Sequence, residues 1–166
     1  MGELKDVLSR RGVAVKTLDG GSLKETVNGV EVEVLHPLKG MEYDANNMSL
    51  VLCLRYGQDS FLFSGDIGEE AERALIRRDV GSTVLKVPHH GSRGSSTEGF
   101  LEKARPKIAV ISAGRGNVFG FPHRETLERY RDIGAAVYRT DANGAVTATS
   151  GGEGIMVRTY LTGALP

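Results

Sequence analysis

The chain has 166 residues, 40% of them hydrophobic and 25% charged, the make-up of one globular domain long enough to bury a core. Lys plus Arg and Asp plus Glu both number 21, so the chain is not a strongly basic nucleic-acid module. The single cysteine excludes an intrachain disulfide framework and a cysteine-rich zinc site, and no apolar run approaches the ~20 residues that a membrane helix needs.

In chain order, LKDVLSRRGVAVKTL predicts a short helix, a turn at Gly12 and a strand over Val13–Leu18. Met1–Leu8 is mixed and polar and does not read as a signal peptide. VEVEVLHP, from Val30, alternates apolar and charged residues, the pattern of a half-exposed strand. GMEYDANNMS is a loop. LVLCLRYG and SFLFSGD flank a short turn, which predicts a β-hairpin with Cys53 as a small core residue. GEEAERALIRR is an amphipathic helix with Ala71, Ala74 and Leu75 on one face. TVLKV and KIAVIS are continuous apolar strands, separated by a helix over STEGFLEKA whose Ser95 and Glu98 have capping-box spacing. HRETLERYRDIG is a further helix ending at Gly134, and AAVYRT, GAVTATS and GIMVRTYL close the chain as strands. The fold class is α/β (α+β): a mixed sheet covered by helices, in a single domain over 1–166.

Three strands end in polar clusters, SGD, PHHGS and SAGRGN…PH, and loops at strand ends are where such sheets place chemistry. Asp66 reads either as a metal ligand or as the cap of the next helix, with Glu69 three residues on. For the adjacent His89 and His90, one ring facing the sheet and one the loop, the choices are metal ligation, phosphate binding or general acid work. Gly91 and Ser92 add donors for an anion. His123 opens a helix, where the positive N-terminus favours neutral imidazole; it reads as a ligand or as a surface cap. Arg93, Arg115 and Arg124 lie in or beside these loops, as phosphate contacts or as solvated side chains. His36 before Pro37 reads as a turn residue, and Asp141 as the cap of the Asn143–Gly144 turn. There is no Walker A sequence, G-x-G-x-x-G, G-x-S-x-G or H-E-x-x-H.

Together, NNMSLVLCLRYGQDSFLFSGDIGEEAERALI and VLKVPHHGSRGSSTEGFLEKARPKIAVISAGRGNVFGFPHRETLERYRDIGAAVYRTDANGAV resemble the metallo-β-lactamase-like domain of ComEC-type DNA-internalisation competence proteins, over about residues 30–146. The resemblance implies an αββα sandwich and a phosphodiesterase that hydrolyses DNA with two metal ions, Zn or Mn. It assigns Asp66 and His123 as metal ligands and His89 and His90 as catalytic groups at the scissile phosphate. Ser92, Arg93 and Asn117 become substrate contacts. Single-stranded DNA and the rest of a membrane channel are the implied partners, and the outer face of the bacterial inner membrane is the implied location.

One departure is large. The family's H-x-H-x-D-H ligand run is absent, and the chain starts about where the second half of the domain starts. MGELKDVLSRRG then reads as the beginning of a cut chain, holding half of the sandwich without the upstream half of the metal site. Weak or absent metal binding, little activity and a homodimer covering the exposed core are expected. Two other readings compete with this one. A calcineurin-like phosphoesterase lacks its D-x-H and G-N-H elements here. A catalytically silent DNA-binding or scaffold module is weakened by zero net charge and 6% aromatics.

Overall fold

The computed structural model describes residues 2–42 and 44–161. After helix α1 (Gly2–Arg10) come β1 (Lys24–Val27), β2 (Val30–His36), β3 (Val51–Tyr56) and β4 (Asp59–Phe63). These four pair in sequence as an antiparallel meander. From β4 onward the sheet turns parallel: β5 (Val84–Lys86), β6 (Ile108–Ile111) and β7 (Ala136–Arg139) follow in register order. The crossovers are α2 (Glu69–Leu75), α3 (Glu98–Ala104) and α4 (Arg124–Asp132). The result is a seven-stranded mixed sheet in strict chain order, followed by a short α5 (Thr140–Asn143) and a separate hairpin, β8 (Val146–Ser150) with β9 (Ile155–Thr159).

Helices α2, α3 and α4 share one face of the sheet. Val51, Cys53, Leu62, Leu85, Ala109 and Ile111 point from the strands into a buried cluster with Leu75, Phe100, Leu101 and Tyr130 from α2–α4. Each fully buried Leu or Phe contributes about 1.5–3 kcal/mol of burial free energy. The opposite face is half-exposed, with Leu52, Leu54 and Phe61 partly open and Phe63 exposed. The β8–β9 hairpin lies toward that face, leaving a gap of about 180 Å3 lined by Phe61, Phe63, Val84, Val110, Val146 and Ala148. Buried Asp59 anchors the hairpin by accepting from Ser150 Oγ and from the Gly154 amide at 2.9 Å. One helix layer on one sheet is half of an αββα sandwich, the expected class.

Several local expectations change. Val13–Leu18 forms no regular element and pairs with no strand of the sheet, and Val13 and Val15 stay exposed. The edge strand is β1 instead, which carries no alternating apolar signal. The Ser95–Glu98 capping box does not form: Thr97 is the N-cap of α3 and makes no side-chain cap bond. The buried Glu72 carboxylate of α2 does that work, accepting from the Ser96 amide at 2.5 Å and the Thr97 amide at 2.8 Å. Asp66 likewise does not cap α2. Asn47 does so from a distance, its Oδ1 accepting the Gly68 amide at 2.8 Å. Asp141 pairs with the Arg139 guanidinium, while Asn143 Oδ1 accepts the Arg139 amide at 2.8 Å. Within the GMEYDANNMS loop, Tyr43 lies outside the described residues.

Candidate active-site cleft at the carboxyl ends of the parallel strands

Because β4, β5 and β6 run parallel, their carboxyl ends open on one edge of the sheet. Asp66 follows β4, the His89–His90 pair follows β5, and the segment Ser112–His123 follows β6. A parallel sheet brings such loops together whatever their separation in sequence. They enclose a cleft of about 650 Å3 whose walls include Asp66, His89, His90, Asn117, Phe119 and Phe121.

Backbone geometry fixes the two histidines. Pro88–Gly91 form a tight turn that is not regular 3-10 helix: His89 (φ 46°) and His90 (φ 55°) are both left-handed. Each such residue costs roughly 1–2 kcal/mol, and strain of this kind collects at functional sites. Neither ring is buried; both are half-exposed on the cleft, so the expected split between a sheet-facing and a loop-facing ring does not occur. Gly91 is required where it stands: its φ is 84° and a Cβ would lie 2.5 Å from Pro122 Cβ. Gly65 is required for a similar reason, with φ 57° and a Cβ 2.6 Å from Ser49 Cβ.

The turn is clamped from behind. Arg129 donates to the carbonyls of Arg93, Ser95 and Ser96 at 2.8–3.1 Å. Thr126 Oγ1 donates to the Ser92 carbonyl at 3.0 Å, and Ser96 Oγ shares a 2.9 Å bond with buried Tyr130. Burial raises the Glu72 carboxyl above its ordinary value even though it accepts the Ser96 and Thr97 amides. The Asp66 turn has its own support. Ser49 Oγ accepts the Asp66 amide at 3.0 Å, and fully buried His36 bonds through Nε2 to the Asn47 carbonyl at 2.6 Å.

Within the cleft, His90 and Asp66 are neighbours. The Ser112 carbonyl accepts from His90 Nδ1 at 2.7 Å, so the neutral ring keeps its lone pair on Nε2. That nitrogen lies 3.5 Å from Asp66 Oδ1. A carbonyl-bonded imidazole beside a carboxylate is the donor arrangement of two ligands on one divalent ion, with the ring oriented by its outer bond. Lys86 Nζ lies 3.8 Å from the same Asp66 oxygen, and burial lowers its pKa while Asp66 opposes that shift. Lys86 lies outside the strand-end polar clusters, and its one signal in the sequence is a charge inside the apolar run TVLKV.

His123 sits apart, across the Phe121 ring at a centroid distance of 5.2 Å. Its Nδ1 accepts the Arg93 amide at 3.1 Å, so a neutral His123 carries its hydrogen on Nε2. In that state the outward nitrogen is a donor suited to an anion. His89 packs edge-on against Phe121 and also lines a second cleft of about 570 Å3 with Asp44, Ser92 and Gly94. Arg93 is exposed. Asn117 binds its own loop: its amide donates to the Gly114 and Phe121 carbonyls at 2.9 and 2.7 Å and accepts the Phe121 amide at 3.0 Å. Among the described residues, no three His, Cys, Asp or Glu side chains converge as a metal-holding group. The donors present therefore fit two positions of a metal shell, from Asp66 and His90. None of the described helices is long and apolar enough to cross a membrane.

Comparison with known proteins gives the chain its relatives. ComE operon protein 3 of Bacillus subtilis is 35% identical over 137 residues, 81% of this chain and 18% of that protein. Recombination protein 2 of Haemophilus influenzae is 35% identical over 118 residues, 71% of this chain and 15% of its own length. Competence protein ComA of Neisseria gonorrhoeae is 34% identical over 131 residues, 77% of this chain and 19% of that one. The chain thus spans less than a fifth of the length of these relatives. In three dimensions it is similar to a structure described as a metal-dependent hydrolase from Parabacteroides distasonis, with a TM-score of 0.51 and 13% identity, covering 82% of this chain and 62% of that one. That likeness establishes the fold alone. The model of the metallo-β-lactamase superfamily matches residues 8–115, and with the strand-end cleft and the competence-protein relatives it settles the kinship: the chain belongs to the metallo-β-lactamase superfamily.

Proposed function

We propose that this chain is the C-terminal part of a metal-dependent phosphodiesterase domain that cuts DNA during uptake by a bacterial membrane protein. The observation that carries the reading is the pairing of His90 Nε2 with Asp66 Oδ1 at 3.5 Å, with His90 oriented by the Ser112 carbonyl. The names of the relatives, one a recombination protein and one a competence protein, supply the DNA context. A Zn or Mn ion at this pair would supply Lewis acidity, lowering the pKa of water and screening phosphate charge.

The chain's own residues then divide the remaining work. Asp66 and His90 hold the ion, while Lys86 offsets the Asp66 charge. His89, half-exposed between the two clefts, is placed for proton transfer to a leaving oxygen. His123 Nε2, Ser92 and Arg93 offer donors to phosphate oxygens. Further ligands come from outside the described residues, so this chain alone holds metal weakly and cuts slowly. The domain faces the outer side of the membrane, takes single-stranded DNA, and adjoins the rest of its membrane channel. A homodimer through the half-exposed sheet face is the arrangement in its absence.

Metal titration by calorimetry with Zn and Mn, on this chain and on a longer chain restoring upstream residues, tests the reading. Tight binding and cleavage of single-stranded DNA by the longer chain alone is the expected result. A second reading, a catalytically silent DNA-binding module, is favoured by the acceptor bond that occupies His123 Nδ1. Absence of metal binding in both chains would put that reading first.

A further inference from the structure

The loop after β6 carries the most exposed apolar side chains near the cleft: Val118 is 92% exposed and Phe119 70%. Two adjacent exposed apolar side chains at the mouth of a cleft form a tip that a ligand or partner can cover. Phe119 is not loose. It stacks on Phe121 at 5.6 Å with 18° between planes, and Phe121 stacks on His90 at 6.3 Å and 21°. Three near-parallel rings therefore run from solvent to the histidine that faces Asp66. The Asn117 amide ties both sides of this loop together, and Gly120 takes the left-handed conformation (φ 69°) between the two phenylalanines. The outer ring is thus held in place before any partner arrives.

We propose that Phe119 is a nucleobase platform: a base of the single strand a nucleotide or two away from the scissile phosphodiester stacks on its open face and extends the Phe119–Phe121–His90 column. This rests on the phosphodiesterase reading and adds to it the part of the substrate that is recognised. Stacking on a ring tolerates every base, which suits a strand of arbitrary sequence. It also requires an unpaired base, so the platform selects single strands over duplex. Lys86 stands beside Asp66 at the inner end of the column, and Arg115, exposed in the same loop and bonded to the Asp141 carbonyl, is a second cation available to the phosphates of the strand. A lipid surface or a second protein copy would also cover an apolar tip, but neither accounts for a ring column that ends at the Asp66–His90 pair.

The test is anisotropy titration of this chain, with chelator present to prevent cutting, against two labelled oligomers of equal length: oligothymidylate and an abasic strand with the same phosphates. Wild type should bind oligothymidylate roughly tenfold more tightly than the abasic strand, the order that one base–aromatic stack contributes. Phe119→Ala should erase that difference while leaving abasic binding unchanged, and Phe119→Trp should keep it. Equal affinity of wild type for both strands, or an unaltered preference in Phe119→Ala, overturns the platform while the phosphate-binding part of the DNA reading stands. Binding of neither strand overturns the platform together with that reading. If Phe119→Ala instead lowers retention on phosphatidylglycerol vesicles and leaves the base preference intact, the tip belongs to a membrane surface and the platform is wrong.

Discussion

His90 and Asp66 meet at the cleft with 3.5 Å between Nε2 and Oδ1, although 23 residues of helix, strand and loop lie between them in sequence. The Ser112 carbonyl decides which nitrogen of His90 is free to face the carboxylate. Oriented imidazole and carboxylate make a two-donor site before any metal is present.

Asp66→Ala removes one donor and leaves Lys86 without its nearest carboxylate. In the longer, metal-competent chain, metal affinity should fall by at least tenfold to a hundredfold, and DNA cleavage with it, since even outer-shell partners of a metal are worth that much. Lys86 should titrate further below its ordinary value of 10.5, because burial lowers it and Asp66 is what opposes the shift. Calorimetry reads the first effect and NMR titration of the lysine side chain the second. Unchanged metal affinity would remove Asp66 from the ligand set.

The left-handed turn at His89 gives a test by substitution pair. Glycine is usually less stable than alanine in folded backbone, but a φ of 46° reverses that order. His89→Gly should be more stable than His89→Ala by roughly 1 kcal/mol in a denaturant melt, and both should lose hydrolysis in the longer chain. Equal stability of the two variants would show that the turn carries no strain.

Much of the fold is legible because its signals are local. The alternation of VEVEVLHP, the hairpin around Gly57–Gln58 and the short apolar runs of β5 and β6 each announce a strand within a few residues, and parallel crossovers then bring Asp66, His90 and Phe121 to one edge. What stayed hidden depends on partners distant in sequence. Val13–Leu18 has strand composition, but no neighbouring strand accepts its backbone. Glu72 looks like one of several solvated glutamates in EEAERAL, yet packing of α2 on α3 buries it completely against the amides of Ser96 and Thr97. Asn47 reaches the Gly68 amide from 21 residues upstream, so Asp66 is freed from the capping role its position suggests.

Glu72 predicts a pH dependence. Burial is the main cause of its raised pKa, so the folded state binds the proton more tightly than the unfolded state does. Its stabilising share is complete below the ordinary value of 4.5 and is lost as pH rises through the folded value. Wild type should therefore lose stability relative to Glu72→Gln as pH climbs from 4 toward neutrality, read as melting-temperature differences across the series. A constant difference between the two proteins would mean that Glu72 titrates alike in both states.

His123 separates ligand from donor. Its Nδ1 accepts the Arg93 amide, and its ring packs edge-on against Phe121, which in turn stacks on His90. As a phosphate donor through Nε2, His123 would be lost without consequence for the metal. In the longer chain His123→Ala should keep wild-type metal affinity and weaken DNA binding and cleavage by about tenfold, the scale of one charge-assisted hydrogen bond. Metal affinity that falls in step with cleavage would show instead that His123 swings past Phe121 to become a ligand, giving up its bond to Arg93. The two outcomes are read on one variant with two titrations, one of metal and one of oligonucleotide. The second also reports whether the loop from Arg93 to Ser96, which Arg129 holds by its carbonyls, stays in place when the imidazole that accepts its first amide is gone.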